Sequence, residues 1–276
     1  MEIKIQYIWH DCFVVYLPEM TLVTDYWMDA SSTGAQPEDF PRFLDEIPQD
    51  KPLYVLVSHH HKDHFARSIF RWESRFPLIH FIISADTAKS ISYMLKPGST
   101  YKGIYKPGPG KVTVLKPGES FSAGGLRILA FPSTDTGNSY LIEVQDKKIF
   151  HAGDLNAWIW KDESTRAEVA AAIRDYKLIL ERIKEVTEEI DVAFFPVDSR
   201  IGTDWCEGAA IFVRVFKVEY FIPMHFTLAT PGHTILDRIA DAVSFDNYRN
   251  PSRGRYLPLT VPCQSVTLSL PPGKKP

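Results

Sequence analysis

The apolar positions of this chain fall first into short β-branched runs and later into longer stretches of helical period. Ile3–Trp9, Cys12–Leu17 and Thr21–Thr24 read as strands, divided by His10-Asp11 and Pro18-Glu19, with hairpins as the simplest connection. Residues 30 to 50 are polar and proline-bearing, and Pro37 suits the first turn of a short helix ending near Ile47. Leu53–Val57 is apolar at every position, the pattern of a strand buried on both faces. Ala66–Trp72 then predicts a helix, Leu78–Ser84 a strand, and Asp86–Leu95 a helix capped by Ser84 or Asp86. Residues 97 to 110 are dense in glycine and proline and form a loop.

Sheet returns at Lys111–Leu115, Glu119–Ser122, Leu126–Phe131, Ser139–Val144 and Lys148–Phe150. Thr165-Arg166-Ala167-Glu168 is a capping box, and Val169, Ile173, Tyr176, Leu180 and Ile183 follow at spacings of three and four, an amphipathic helix. Val192–Val197 is a strand ending at Asp198. Trp205–Lys217 is a helix with Trp205, Ala209, Phe212 and Phe216 inward, and Tyr220–Phe226 is another strand. Val266, Leu268 and Leu270 alternate in a final strand, and Pro271–Pro276 is expected to fray. Two β-rich halves, each followed by helices, predict an α/β fold, although no repeat is visible residue by residue.

The chemistry gathers where predicted strands stop. Directly after Val57 comes Ser58-His59-His60-His61-Lys62-Asp63-His64-Phe65. His59 and His61 are two apart, so in extended chain they point the same way and grip one cation. Asp63 and His64 are adjacent, and a chain turning into a helix aims both at a second cation. Imidazole with carboxylate suits zinc, iron or manganese. His60 points the other way and is left out. Asp25 ends the third run as a supporting carboxylate or a turn aspartate. Asp154 follows Ala152-Gly153 at a strand end, as a metal ligand or a turn cap. His225 ends the Tyr220 strand, where a lone histidine is more often structural. His10 could reach the metal mouth but reads more simply as a turn histidine, and Trp158 and Trp160 as pocket walls or core.

The His-x-His-x-Asp-His stretch resembles the signature of the metallo-β-lactamase fold hydrolases, and the resemblance extends from Ile5 to about Met224-His225. It implies a four-layer αββα sandwich, a single hydrolase domain over residues 1–276. It also implies His59, His61, Asp63, His64, Asp154 and His225 as metal ligands, with Asp154 bridging two ions and Asp25 supporting the metal loop. Ligands on both sides of residues 97 to 110 argue that this loop is a surface excursion, not a linker. Its Tyr101, Lys102, Tyr105 and Lys106 are candidate contacts for an anionic substrate. Thr230-Pro231-Gly232-His233 mimics a string found after a metal histidine in some members, but it lies beyond His225 and introduces a helix. The chain departs from the family between Phe131 and Asn138, where a histidine is usual and none occurs. Asp135 is the best substitute, with Ser133 and Thr134 weaker. A carboxylate there hardens the site toward manganese, iron or magnesium. The substitution resembles a bacterial branch close to ascorbate-6-phosphate-lactonase-like proteins.

Composition narrows the function. A hydrophobic content of 45% with 24% charged residues is that of a soluble globular protein, and a net charge of −3 without a basic run argues against nucleic acid. Cys12, Cys206 and Cys263 are scattered and odd in number, fitting a reducing cytosol. No apolar stretch approaches the ~20 residues that span a bilayer. The expectation is a cytoplasmic hydrolase with one or two divalent ions, zinc first and manganese or iron next. It would use a metal-activated hydroxide, with Asp63 and Asp135 as catalytic carboxylates, on a small anionic ester, lactone or phosphodiester. The alternatives are a di-iron oxidoreductase on the same fold and a non-catalytic metal-binding or regulatory protein. Oligomeric state is left open between monomer and homo-oligomer.

Overall fold

A computed structural model describes residues 1–27, 42–96, 98–103, 105–230, 232–247 and 254–271. Two compact units result: Met1–Lys116 together with the tail from Val261, and Pro117–Thr260.

The first unit is built on a seven-stranded sheet. Its strands are β1 (Glu2–Trp9), β2 (Cys12–Tyr16), β3 (Thr21–Thr24), β4 (Leu53–Val57), β5 (Ile79–Ser84) and β6 (Val112–Leu115), closed at one edge by β14 (Ser265–Ser269). The order is β14-β1-β2-β3-β4-β5-β6. The β14, β1, β2 and β3 neighbours are antiparallel, and β3 to β6 are parallel. Parallel neighbours need crossover connections rather than tight turns. The β4–β5 crossover carries a 3-10 helix, Arg67–Ser74, where an α-helix was expected. The expected Asp86–Leu95 helix is two pieces, α2 (Ala85–Ser90) and α3 (Ser92–Leu95), broken at Ile91. Ser84 caps α2 by accepting from Thr87 N. Of the helix predicted from Pro37, residues 37–41 lie outside the described residues, and the described part is a single turn, α1 (Phe43–Glu46). β4 is buried at all five positions, as its unbroken apolar run required.

The second unit repeats this wiring. β7 (Ser120–Ala123), β8 (Leu126–Pro132), β9 (Asn138–Val144) and β10 (Lys147–His151) are antiparallel neighbours. β10, β11 (Glu189–Pro196), β12 (Lys217–Met224) and β13 (Arg255–Tyr256) are parallel. The crossovers are α4 (Arg166–Lys184), α5 (Glu207–Val215) and α6 (Ile235–Ser244). The capping box of α4 forms as its sequence dictated, with Thr165 Oγ1 accepting from Glu168 N at 3.3 Å and Thr165 N donating to Glu168 Oε2 at 2.7 Å. Its apolar stripe is covered at Tyr176, Leu180 and Ile183 but only half-covered at Val169 and Ile173. Phe150, Phe195, Phe212 and Phe216 form the aromatic centre of this unit, with the Phe212 ring 4.5 Å from Phe195 and 4.8 Å from Phe216. Among the described residues, no helix is long and apolar enough to cross a membrane. The 272–276 end of the tail lies outside the described residues.

Candidate metal centre

In the first unit, the tips of β3 and β4 hold the histidine-rich stretch. The two strands are parallel neighbours, so Asp25 and Ser58, one residue past each, lie side by side. Ser58 N donates to Asp25 Oδ1 at 2.7 Å, and Ser58 Oγ donates to Asp25 Oδ2 at 2.5 Å. The same Oδ2 accepts from His64 Nδ1 at 2.9 Å, and Asp11 Oδ2 lies 3.4 Å from that nitrogen. Asp25 therefore makes the bonds to a loop amide and an imidazole that a supporting carboxylate would make. It orients an imidazole through Nδ1 and leaves Nε2 as the nitrogen that could bind a cation, an arrangement that fixes the ring tautomer and raises its basicity. The positive φ of Asp25, 39°, is the strained turn that aims the carboxylate there.

His59 Nδ1 lies 3.0 Å from Ser58 Oγ, and His59 Nε2 lies 3.0 Å from His61 Nδ1. The two nitrogens that i, i+2 spacing was expected to pair are thus brought together. His64 N and Phe65 N both bond His61 O, at 3.1 and 3.0 Å, so the chain turns sharply after His61. That turn sets Asp63 Oδ2 4.0 Å from His64 Nε2, and the His59 and His64 ring centres 4.0 Å apart. His60 faces away, its N and Nδ1 both held by Asp86 Oδ2 at 2.9 and 2.8 Å. Burial would raise the Asp86 carboxyl, but bonds from Ser84 and His60 outweigh it and hold it low. Burial also pushes the Cys12 thiol well up, with the charges of Asp25 and Asp11 adding to it.

In the second unit, Asp154, Asp198 and His225 follow the ends of β10, β11 and β12 by three, two and one residues. Gly153, at φ 51°, makes the turn that presents Asp154. His225 Nε2 lies 3.1 Å from Asp154 Oδ1, and His225 Nδ1 lies 3.0 Å from Asp198 Oδ2. Asp198 thus holds His225 as Asp25 holds His64. Arg200 grips Asp198 through Nε, at 3.0 and 2.8 Å to its two oxygens, and through Nη2 at 2.6 Å. Burial would raise the Asp198 carboxyl, yet His225 and Arg200 together pull it far below the ordinary carboxylate range.

The β8–β9 turn carries Asp135, whose carboxylate comes within 4.8 Å of that of Asp154. Thr134 is committed elsewhere: its hydroxyl donates to Asn156 O at 2.6 Å and accepts from Asn156 N at 3.0 Å, stapling this turn to the Asp154 turn. Ser133 Oγ accepts from Asp135 N at 3.4 Å. Trp158 Nε1 donates to Asp154 O at 2.7 Å, and its ring meets His225 edge-on at 5.5 Å. Trp160 is exposed. His151 Nδ1 accepts from Gly153 N at 3.3 Å.

The first unit therefore groups His59, His61, Asp63 and His64, and the second groups Asp135, Asp154 and His225. This donor set of imidazoles and carboxylates, two of the imidazoles oriented by buried carboxylates, fits a divalent first-row cation. Sequence reasoning passed over Asp198 and Arg200. The signal was present, since Asp198 ends an apolar run just as Asp25 does. It also set aside His10 as a turn residue, whereas that side chain is fully buried with Nε2 3.7 Å from Asp63 Oδ2. The loop after α3 is tied down locally: Tyr101 meets Tyr93 edge-on at 5.3 Å, and Lys106 Nζ bonds Ser99 O at 3.2 Å. Residues 97 and 104 of that loop, and Pro231 of the Thr-Pro-Gly-His string, lie outside the described residues. His233 is exposed and Thr234 caps α6.

Comparison with known proteins agrees with this architecture. The family model described as a β-lactamase superfamily domain matches residues 4–171, more than half of the chain. A UPF0173 metal-dependent hydrolase of Pyrobaculum calidifontis is 25% identical over 230 residues, covering 81% of this chain and 84% of its own. The fold matches that of Igni18, a metallo hydrolase of the archaeon Ignicoccus hospitalis, with a TM-score of 0.67, 18% identity, and coverage of 98% of this chain and all of the other. It also matches CmlA, a di-iron β-hydroxylase of Streptomyces venezuelae, with a TM-score of 0.60, 16% identity, and coverage of 97% of this chain but 54% of that one. Helices and two mixed sheets thus form the metallo-β-lactamase type of α/β fold, and the chain belongs to the β-lactamase superfamily.

Proposed function

We propose that this chain is a metal-dependent hydrolase of the metallo-β-lactamase superfamily. Its metal ligands are His59, His61, Asp63 and His64 from the first unit, and Asp135, Asp154 and His225 from the second. The observation that carries the reading is a repeated one: Asp25 holds His64 Nδ1 at 2.9 Å and Asp198 holds His225 Nδ1 at 3.0 Å. Two buried carboxylates spent on orienting two imidazoles is the economy of a metal site, not of a polar loop. The family match supports a single domain over residues 1–276, because residues 4–171 run across the boundary at Lys116 between the two units.

A bound divalent ion supplies Lewis acidity and brings the pKa of water near 7. The protein's own groups do the rest. Asp63 and Asp135, the less buried carboxylates of the set, accept hydrogen bonds from the attacking water and orient it. Asp25 and Asp198 keep the His64 and His225 rings from turning. Trp158 packs its edge against His225 and narrows access from that side. Asp135, standing where the family usually has histidine, makes the donor set harder, so manganese or iron competes with zinc. The substrate class is a small anionic ester, lactone or phosphodiester, taken up in a reducing cytosol, with neither nucleic acid nor membrane as partner.

A panel of lactones, carboxylic esters and phosphodiesters, assayed with chain loaded with zinc, manganese or iron, tests this. Turnover of one class, abolished by His61→Ala and by Asp154→Asn, is expected. Metal-loaded chain inert toward every class, or consuming oxygen instead, would overturn it.

A further inference from the structure

The β1–β2 turn is a strand-end feature of the first unit that the proposed ligand set leaves unused. It holds His10 and Asp11, both fully buried. His10 adopts a left-handed backbone conformation, φ 56°, which is uncommon outside glycine and costs some strain, though histidine takes it more readily than most residues. Tyr7 imposes it here, its hydroxyl accepting from His10 N at 2.9 Å. The result aims the ring inward. His10 Nε2 lies 3.7 Å from Asp63 Oδ2, Asp63 Oδ2 lies 4.0 Å from His64 Nε2, and ligand atoms of His10, Asp11 and His64 all fall within 4.8 Å of one another. Two donors bound to one ion at about 2.1 Å stand no more than about 4.2 Å apart. Both distances to Asp63 meet that limit.

Topology supplies an independent argument. β1, β2 and β3 in the first unit are wired as β8, β9 and β10 are in the second. In each case an antiparallel pair is joined by a short connection, residues 10–11 or residues 133–137, and a site aspartate follows the third strand, Asp25 directly after β3 and Asp154 three residues after β10. The β8–β9 turn delivers Asp135 to within 4.8 Å of Asp154. The β1–β2 turn is its counterpart, and it delivers His10 to Asp63 and His64.

We infer that His10 is a metal ligand, its Nε2 joining Asp63 and His64 around one divalent cation. Asp11 takes a supporting place, 3.4 Å from the His64 nitrogen that Asp25 already holds. The inference rests on the hydrolase reading but adds a ligand that reading does not contain. It explains why a histidine is held in a strained turn and buried completely.

The test is cobalt(II) substitution of the full-length chain, read by its visible absorption bands and by competition with a chelator, for wild type, His10→Gln, His10→Ala and the exposed control His233→Ala. Loss of a ligand changes the cobalt band positions and intensities. It also weakens binding by more than the 10–100-fold that loss of an outer partner costs. The melting temperature of each metal-free variant guards against misfolding: His10→Gln keeps ring-like volume, and its apo melting temperature is expected near that of wild type, while the metal-induced rise shrinks. Unchanged bands in His10→Gln, with or without weaker binding, overturn the assignment. A wild-type chain that takes up no cobalt overturns the hydrolase reading together with it, and so distinguishes the two failures.

Discussion

Asp25 is a carboxylate that touches no proposed substrate and yet sets the chemistry of its neighbours. It bonds Ser58 twice and His64 once, all in buried surroundings. Asp25→Ala leaves those donors buried with a partner gone, which costs about 1–3 kcal/mol. Urea unfolding of the metal-free protein measures that cost. The same variant, and Asp198→Asn in the second unit, are expected to weaken metal affinity about 10–100-fold, read by chelator competition. Equal affinity in either variant would mean that the carboxylate orients nothing that binds metal. Sequence pattern recovered Asp25 because a familiar motif pointed at it. Asp198 was read only as a strand end, because His225, the ring it holds, becomes its neighbour only when β11 and β12 lie parallel. The thiols give a second residue-scale check. Cys12 is fully buried with its thiol pushed up by burial, whereas Cys206 and Cys263 are half-buried. A chromogenic thiol reagent at pH 8 is expected to modify at most two cysteines in the native chain and the third only in denaturant.

At the scale of elements, strands were easier to read than helices. Apolar runs such as Leu53–Val57 and Thr21–Thr24 have the observed boundaries, since a strand buried on both faces leaves an unbroken signature. The Ala66–Trp72 segment became a 3-10 helix, and Asp86–Leu95 broke at Ile91, because short crossovers are shaped by where they must land and not by propensity. α4 is the opposite case, announced by Thr165 and Glu168 and formed as announced. Its cap is exposed, and its hydrogen bonds are local, between Thr165 and Glu168. Thr165→Ala should therefore lower unfolding free energy by about 1 kcal/mol while leaving bound metal unchanged. A loss of metal in that variant would tie α4 to the site and contradict this separation.

For the molecule as a whole, the two units share one wiring plan without sharing a residue pattern. Both run antiparallel and then parallel, and both place carboxylates and imidazoles at the tips of their parallel strands. The sequence showed this only as two β-rich halves, because the cores are filled differently: Tyr7, Phe13, Phe70 and Phe81 in the first, Phe150, Phe195, Phe212 and Phe221 in the second. Packing, not the site, carries stability. Phe212→Ala removes a fully buried ring at the centre of its unit and should cost about 3–5 kcal/mol in denaturant unfolding. The central claim is about metal, and elemental analysis of the chain purified without added metal tests it most directly. The account predicts at least one equivalent of a divalent transition metal per chain, lost from both His59→Ala and Asp154→Ala. A folded wild-type chain that carries none, and takes up none when zinc, manganese or iron is supplied, would contradict it.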